Sequence, residues 1–346
     1  MGTNYVTKDD LQKFKDLLNN TVINLNNNIV KSSENLNNNI VKSSENLQSH
    51  QDLIVKSIQS LETTVYSKVK QINTYPPGKT NNVVYNKNGN YMDIYMPETL
   101  KHDDFVVLYF HGGGFIYFDE ESSEINLFLS ETNKLGCIFI SVQYTLQEET
   151  LNPTREFFVN ARNVASKNAT ESIEYINKGG IDKIVSSGFS AGGIITGSFI
   201  FNYPEDSVLK LDESNKDLVK AVVIIAGAST TNIDIPGSDD YLLNTLNSID
   251  KNSPPAFIWH GPLDEVVPYS GAVDIKNKYE ELGIYYEFYS IKDTLHEQIV
   301  LTSPDGVYDF GESLKFYYSE FIKKYLNNEL IFVPESERAD RVPVPV

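Results

Sequence analysis

Three residue types in this sequence could together transfer an acyl group: a serine in a glycine-rich turn, a carboxylate, and a loop histidine. The serine is Ser190, at the centre of Gly188-Phe-Ser-Ala-Gly192. The apolar pair Ile184-Val185 precedes it and a helix-compatible run, Ile194 to Phe201, follows. Strand, tight turn, helix is the context of a nucleophile elbow, in which the hydroxyl stands clear of the backbone. Glycines two residues before and two after allow strand and helix to approach with no side chain between them. A plain glycine turn before a helix would show the same five residues. A catalytic serine also needs a base, an orienting acid and donors for an oxyanion.

The sequence has five histidines. His50 lies in an N-terminal repeat zone, His102 in a charged loop, and His111 opens a glycine run. His260 directly precedes the acid candidate, too close in sequence to swing round to it. His296, in Asp293-Thr-Leu-His-Glu297, follows the last expected strand and is the base candidate. The acid belongs on a loop after a strand between serine and histidine. Trp259-His-Gly-Pro-Leu-Asp-Glu265 offers Asp264, with Glu265 as the neighbouring alternative. Phe110-His-Gly-Gly-Gly-Phe115, after a buried strand, can turn backbone N–H groups toward developing negative charge. The order Ser190, Asp264, His296 is the nucleophile–acid–histidine order of the α/β-hydrolase type.

With these motifs the chain resembles the α/β-hydrolases of the esterase/lipase group that carry a His-Gly-Gly-Gly motif. That group includes hormone-sensitive-lipase-like carboxylesterases and acetyl-esterase-like enzymes. The resemblance spans roughly residues 80–328. It implies Ser190 as nucleophile, His296 as general base and then acid, and Asp264 as the residue orienting His296. It also implies an oxyanion hole built from the N–H groups of Gly113, Gly114 and Ala191. Val142-Gln-Tyr-Thr-Leu146 matches the group's Asp-Tyr-Arg-Leu strand end at Tyr144 and Leu146. Phe189 stands where hormone-sensitive-lipase-like members usually carry an acidic residue. The acid loop is more similar to those of acetyl-xylan-esterase-like and oligopeptidase-like hydrolases.

The elements that must position these residues follow from the pattern. Asn82–Tyr85 and Tyr91–Met96 read as an antiparallel hairpin. Phe105–Phe110, Cys137–Val142, Val219–Ile225, Ala256–Trp259 and Tyr285–Ile291 read as buried strands. Helical stretches are expected around Ser122–Thr132, Thr154–Asn177, Gly271–Leu282 and Glu312–Leu326. The alternation predicts an α/β fold, a mostly parallel twisted sheet with helices on both faces. Preceding it, residues 1–75 form a helical, coiled-coil-like extension in which LNNNIVKSSEN occurs twice in succession, at 25–35 and 36–46. Apolar residues from Leu18 to Val65 recur at steps of three, four and seven, giving one apolar face. An eleven-residue period favours a nearly straight or right-handed coil, and Asn-rich helices of this kind need a partner. A disordered low-complexity expansion is the competing reading. Tyr75-Pro-Pro-Gly78 marks the boundary, residues 76–330 form the catalytic domain, and 331–346 an extended tail.

Charge narrows the partners. Residues 1–76 carry 8 basic and 7 acidic side chains, the remainder 21 and 40. So acidic a body excludes nucleic acid and anionic membrane surfaces as partners. The single cysteine, Cys137, rules out an internal disulfide and a cysteine metal cluster. No signal peptide or transmembrane run is evident, which gives a cytoplasmic expectation. The expected function is a serine hydrolase of short acyl or acetyl esters, acting through an acyl-enzyme without metal or organic cofactor. The aromatics Phe115, Tyr117, Phe118 and Phe189 are candidates for an apolar pocket or for ordinary core. A short insertion after Val219–Ile225 predicts no large lid. An amidase, formamidase or peptidase with the same triad is one rival. A non-catalytic protein assembled as a homo-oligomer through residues 18–65 is another.

Overall fold

The computed structural model describes residues 8–66, 70–119, 124–149, 154–200, 217–227, 246, 248–301 and 310–337. The chain divides into two units, 1–68 and 69–346. The first contains one helix, α1 (Lys8–Tyr66), of 59 residues. Both copies of the eleven-residue repeat lie within it. Leu18, Val22, Leu25, Ile29, Leu36, Ile40, Leu47 and Ile54 are all more than half exposed.

The second unit is organised by an eight-stranded sheet. Its strands are β1 (Gly78–Val84), β2 (Tyr91–Met96), β3 (His102–Phe110), β4 (Cys137–Val142), β5 (Lys183–Phe189), β6 (Val219–Ile225), β7 (Ala256–His260) and β8 (Tyr286–Ser290). Their spatial order is β1-β2-β4-β3-β5-β6-β7-β8. β1 and β2 form the antiparallel hairpin, β2 pairs antiparallel with β4, and every later pairing is parallel. The parallel strands are continuous apolar runs because both of their faces are covered. In β3, Val106, Leu108 and Phe110 enter one core while Phe105, Val107 and Tyr109 enter the other. β1, at the edge, is mostly polar and exposed, as an unpaired edge requires.

Among the described residues five further helices supply the outer layers: α2 (Ile125–Lys134), α3 (Arg155–Lys178), α4 (Ala191–Gly197), α5 (Tyr269–Leu282) and α6 (Phe310–Leu326). Ala161, Ala165 and Ile173 of α3, Ile195 of α4, and Ile275 of α5 join the first core. Phe128 of α2 and Leu314, Tyr318 and Phe321 of α6 join the second. Helices therefore cover both faces. α3 runs unbroken and is capped by Thr154, whose hydroxyl accepts the Phe157 N–H at 3.2 Å.

Local differences from the sequence pattern have clear causes. The helix after Ser190 begins at once, at Ala191, and tightens into a 3₁₀ turn over Ser198–Ile200. The pattern had placed it three residues later because Ala191-Gly-Gly193 carries no apolar period. Ile72, before the Pro-Pro sequence, is fully buried, and its N–H donates to Gly179 O at 2.8 Å. The start of the expected tail is held on α5: Lys276 pairs with Glu335 at 2.6 Å, and a 3₁₀ turn spans Glu335–Glu337. Residues 338–346 and most of the β6–β7 insertion lie outside the described residues, as does the expectation of no large lid. Cys137 is wholly buried in β4, and burial pushes its thiol up to about 12, so it packs as a small hydrophobe.

Candidate active site

The three chemistry-bearing side chains follow the C-terminal ends of three parallel strands, β5, β7 and β8, with β6 between the first two. Ser190 directly follows β5, between β3 and β6, and adopts φ +54°, ψ −118°. A non-glycine residue in this region costs on the order of 1–3 kcal/mol and persists only where its surroundings fix it. Here its N–H donates to Ile225 O and its carbonyl accepts the Ile194 N–H, both at 2.9 Å. The flanking glycines let the backbone close. A Cβ on Gly188 would stand 2.3 Å from the Gly192 carbonyl, and one on Gly192 only 1.9 Å from Phe110 O. Turn, helix and the end of β3 thus touch backbone to backbone.

His296 lies beyond β8 on a loop closed by the Thr294 hydroxyl, which donates to Ile291 O at 2.6 Å. Asp264 lies beyond β7 in a turn made by its own N–H donating to Gly261 O at 3.2 Å. The two loops pack together at Gly261, where a Cβ would meet Thr294 Oγ1 at 2.3 Å. His296 Nε2 is 2.8 Å from Ser190 Oγ, and His296 Nδ1 is 2.7 Å from Asp264 Oδ2. A carboxylate only accepts, so Nδ1 carries the proton and Nε2 accepts from the serine hydroxyl. Ser190 and His296 are 8% and 5% exposed, so solvent screens this chain of bonds weakly.

Asp264 Oδ1 accepts the N–H groups of Val266 and Val267 at 2.9 and 2.8 Å. Burial alone would push its pKa up. Donors from His260, His296 and the Val267 N–H outweigh that and hold the carboxyl well below the usual carboxylate range. Glu265, the alternative acid, is exposed and reaches only the backbone N–H of His296, at 3.5 Å. Its side chain does not meet the imidazole.

The glycine run after β3 is pinned by several contacts. Gly113 has φ +99°, and a Cβ there would stand 2.2 Å from Tyr117 O. The Tyr144 hydroxyl donates to His111 O at 2.9 Å and Gly112 O at 3.2 Å. Its ring stacks on His111, centroids 4.3 Å apart. Burial pushes the Tyr144 phenol up and the His111 imidazole down, so the phenol keeps its donor proton and the imidazole stays uncharged. Gly114 also has positive φ, +62°, and Ala191 is the first residue of α4. The aromatics divide. Phe115 is buried edge-on to Tyr144, Phe189 stacks on His296 at 5.4 Å, and Tyr117 and Phe118 are about half exposed or more.

Of the other histidines, His111 opens the glycine run and His260 reaches the site, while two lie elsewhere. His50 is in α1 and His102 opens β3. His260 sits 3.0 Å from Asp264 Oδ2. The turn at Gly261-Pro262 folds residue 264 back over residue 260, so nearness in sequence brings the pair together. Among the described residues no cluster of His, Cys, Asp and Glu has a metal-holding arrangement. No described helix is long and apolar enough to cross a membrane.

Comparison with known proteins fits this architecture. The family model described as alpha/beta hydrolase fold matches residues 107–252. The second unit has the α/β-hydrolase fold. Among solved structures, a truncated carbohydrate esterase from gut microbiota is 21% identical, covering 73% of this chain and 99% of that one, with a TM-score of 0.51. The apo form of Thermogutta terrifontis esterase 2 is 15% identical, over 73% and 95%, at 0.53. A bifunctional GH43-CE protein of Bacteroides eggerthii is 17% identical, over 71% of this chain and 36% of that one, at 0.53. No curated protein matches the sequence. Within the α/β-hydrolase fold, Ser190, Asp264 and His296 stand at the ends of β5, β7 and β8, where the parallel strands deliver their loops.

Proposed function

We propose that this chain is a serine hydrolase of carboxylic esters, of the esterase/lipase group with a His-Gly-Gly-Gly motif, with catalysis assigned to residues 76–330. The observation that carries the proposal is the continuous bond chain from Ser190 Oγ through His296 to Asp264, at 2.8 and 2.7 Å. Ser190 Oγ attacks the ester carbonyl carbon while His296 Nε2 takes its proton. The carbonyl oxygen becomes an oxyanion, bound by the N–H groups of Gly113, Gly114 and Ala191; one such donor is worth about 3 kcal/mol in the transition state. Collapse breaks the bond to the alkoxy group, which leaves as the alcohol with the proton from His296. Water then attacks the acyl-Ser190 carbonyl, again losing a proton to His296, and the acid departs as Ser190 Oγ recovers that proton. Asp264 keeps Nδ1 protonated and stabilises the imidazolium in each half-reaction.

Short acyl or acetyl esters are the expected substrates. Tyr117 and Phe118, exposed beside the glycine run, offer apolar surface next to the proposed oxyanion loop. The similar solved structures include a carbohydrate esterase and an esterase. The test is a series of nitrophenyl esters of increasing acyl length with wild type and Ser190→Ala. Wild type should turn over the acetyl and butyryl esters, and Ser190→Ala should lose at least about 10⁴-fold in kcat. Equal rates in both would remove Ser190 from the chemistry.

Residues 1–75 are assigned to assembly, with a second copy of the same helix as partner. Two identical eleven-residue units present the same surface about every 16 Å, and the surface matching that spacing is another copy. Residues 18–56 carry three lysines and three acidic residues, so copies do not repel. The eight exposed stripe residues present on the order of 400 Å² of apolar area per helix. Two helices with ordinary polar flanks then bury about 1,200 Å², enough for a stable interface.

A further inference from the structure

Asp264 is held from two sides. His296 Nδ1 lies 2.7 Å from Oδ2, and His260 Nε2 lies 3.0 Å from the same oxygen. His260 ends β7, is wholly buried, and sets its ring edge-on to Tyr269 with centroids 5.7 Å apart. Its Nε2 is also 3.0 Å from the carbonyl oxygen of Val267. Both groups facing Nε2 are acceptors, so Nε2 carries the proton. Nδ1 is buried without a hydrogen-bond partner. A proton there would be a stranded donor, so these contacts select the Nε2–H tautomer. It cannot take the serine proton: His296 stands between it and Ser190 along the bond chain.

We propose that His260 is a positioning residue for the hydrolytic triad, using one N–H to fix both the Asp264 carboxylate and the turn that carries it. The inference rests on the hydrolase reading of Ser190, His296 and Asp264. Through Val267 O, His260 ties the far end of the turn to β7, which keeps Oδ2 directed at His296. Through Oδ2 it draws negative charge from the oxygen that His296 shares. The carboxylate then attracts the imidazolium less strongly than an unshared one would, so removing the donor should favour the imidazolium. The charged and titratable groups around this point are few. His260 comes from β7, His296 from the loop after β8, exposed Glu265 from the turn itself, and Tyr269 from α5.

The experiment compares wild type, His260→Phe and His260→Gln. Phenylalanine keeps the ring and removes the donor; glutamine can place an N–H where Nε2–H stood. Hydrolysis of nitrophenyl acetate is followed from about pH 5 to pH 9, with kcat counted per site titrated by a fluorophosphonate. His260→Phe should lower kcat about tenfold with KM changed less than about twofold, and move the acid limb of kcat/KM upward by about half a pH unit. His260→Gln should recover most of kcat and return the limb. A Phe variant with wild-type kcat per site and an unmoved limb would overturn the proposal. So would a folded Gln variant that behaves like Phe, since the ring would then only fill space. A second readout is the low-field proton resonance of the His296 Nδ1–H, expected to shift further downfield in His260→Phe. An unchanged resonance shows that His260 does not act on that bond. If wild type hydrolyses no ester, the hydrolase reading fails instead, and the resonance alone decides the role of His260.

Discussion

At the scale of single residues, the site depends on who donates to one buried oxygen. Asp264 Oδ2 is shared by two imidazoles, while Oδ1 takes two backbone N–H groups. Asp264→Asn keeps the shape but offers an amide N–H or a neutral carbonyl where His296 needs a charged acceptor. The wrong tautomer of His296 then becomes favourable, and kcat should fall by about 10⁴ with KM little changed, measured on nitrophenyl acetate. The same substitution has a stability signature. Because the folded carboxyl is held below its usual range, its contribution is fully present above the unfolded value of about 3.9 and is lost as pH falls through the folded one. Thermal melts should show wild type more stable than Asp264→Asn at neutral pH, with the gap closing below about pH 4. A gap that widens toward acid would contradict the assigned direction.

At the scale of elements, the elbow is a packing device made from backbone. α4 sits so close to β5 and β3 that Gly192 has no room for a methyl group, and the atoms in the way are backbone that cannot rotate aside. Gly192→Ala should cost at least about 3 kcal/mol and lower Tm by roughly 6–12 °C. Gly197, one and a half turns further along α4, has its nearest neighbours at 3.8 Å. Gly197→Ala should be neutral or stabilise by up to about 1 kcal/mol, since the helix loses a flexible residue. Calorimetry on the two variants separates them by sign. The elbow was legible beforehand only in company: the Gly-x-Ser-x-Gly turn alone reads equally as a plain glycine turn, and the glycine run at 112–114, Asp264 and His296 single it out. Asp264 and His296 were legible from their place after strands. His260 was not, because four residues of separation suggest a barrier, whereas the Gly261-Pro262 turn folds Asp264 back onto it. The start of α4 was hidden for a related reason: three small residues carry no periodicity, yet they are what permits the close approach.

At the scale of the whole molecule, two units of different chemistry share one chain. The α/β-hydrolase unit holds nearly all the net negative charge, and α1 carries a repeated, near-neutral apolar stripe. Self-pairing through that stripe predicts a mass above that of one chain for wild type at tens of micromolar by light scattering. Leu25→Asp/Leu36→Asp puts charge on the stripe and should give single chains. Asn27→Asp/Asn38→Asp adds the same charge about 200° round the helix and should keep the wild-type mass. Identical behaviour of the two double variants would remove the stripe from assembly. The central claim concerns one serine among the many in the chain, and it has a direct test. Folded full-length protein is treated with a fluorophosphonate, digested, and the modified peptide mapped by mass spectrometry. A single adduct on Ser190, absent in acid-unfolded protein and in His296→Ala, is the predicted result. No adduct on Ser190 in the folded chain, together with no hydrolysis of nitrophenyl acetate, would contradict the account.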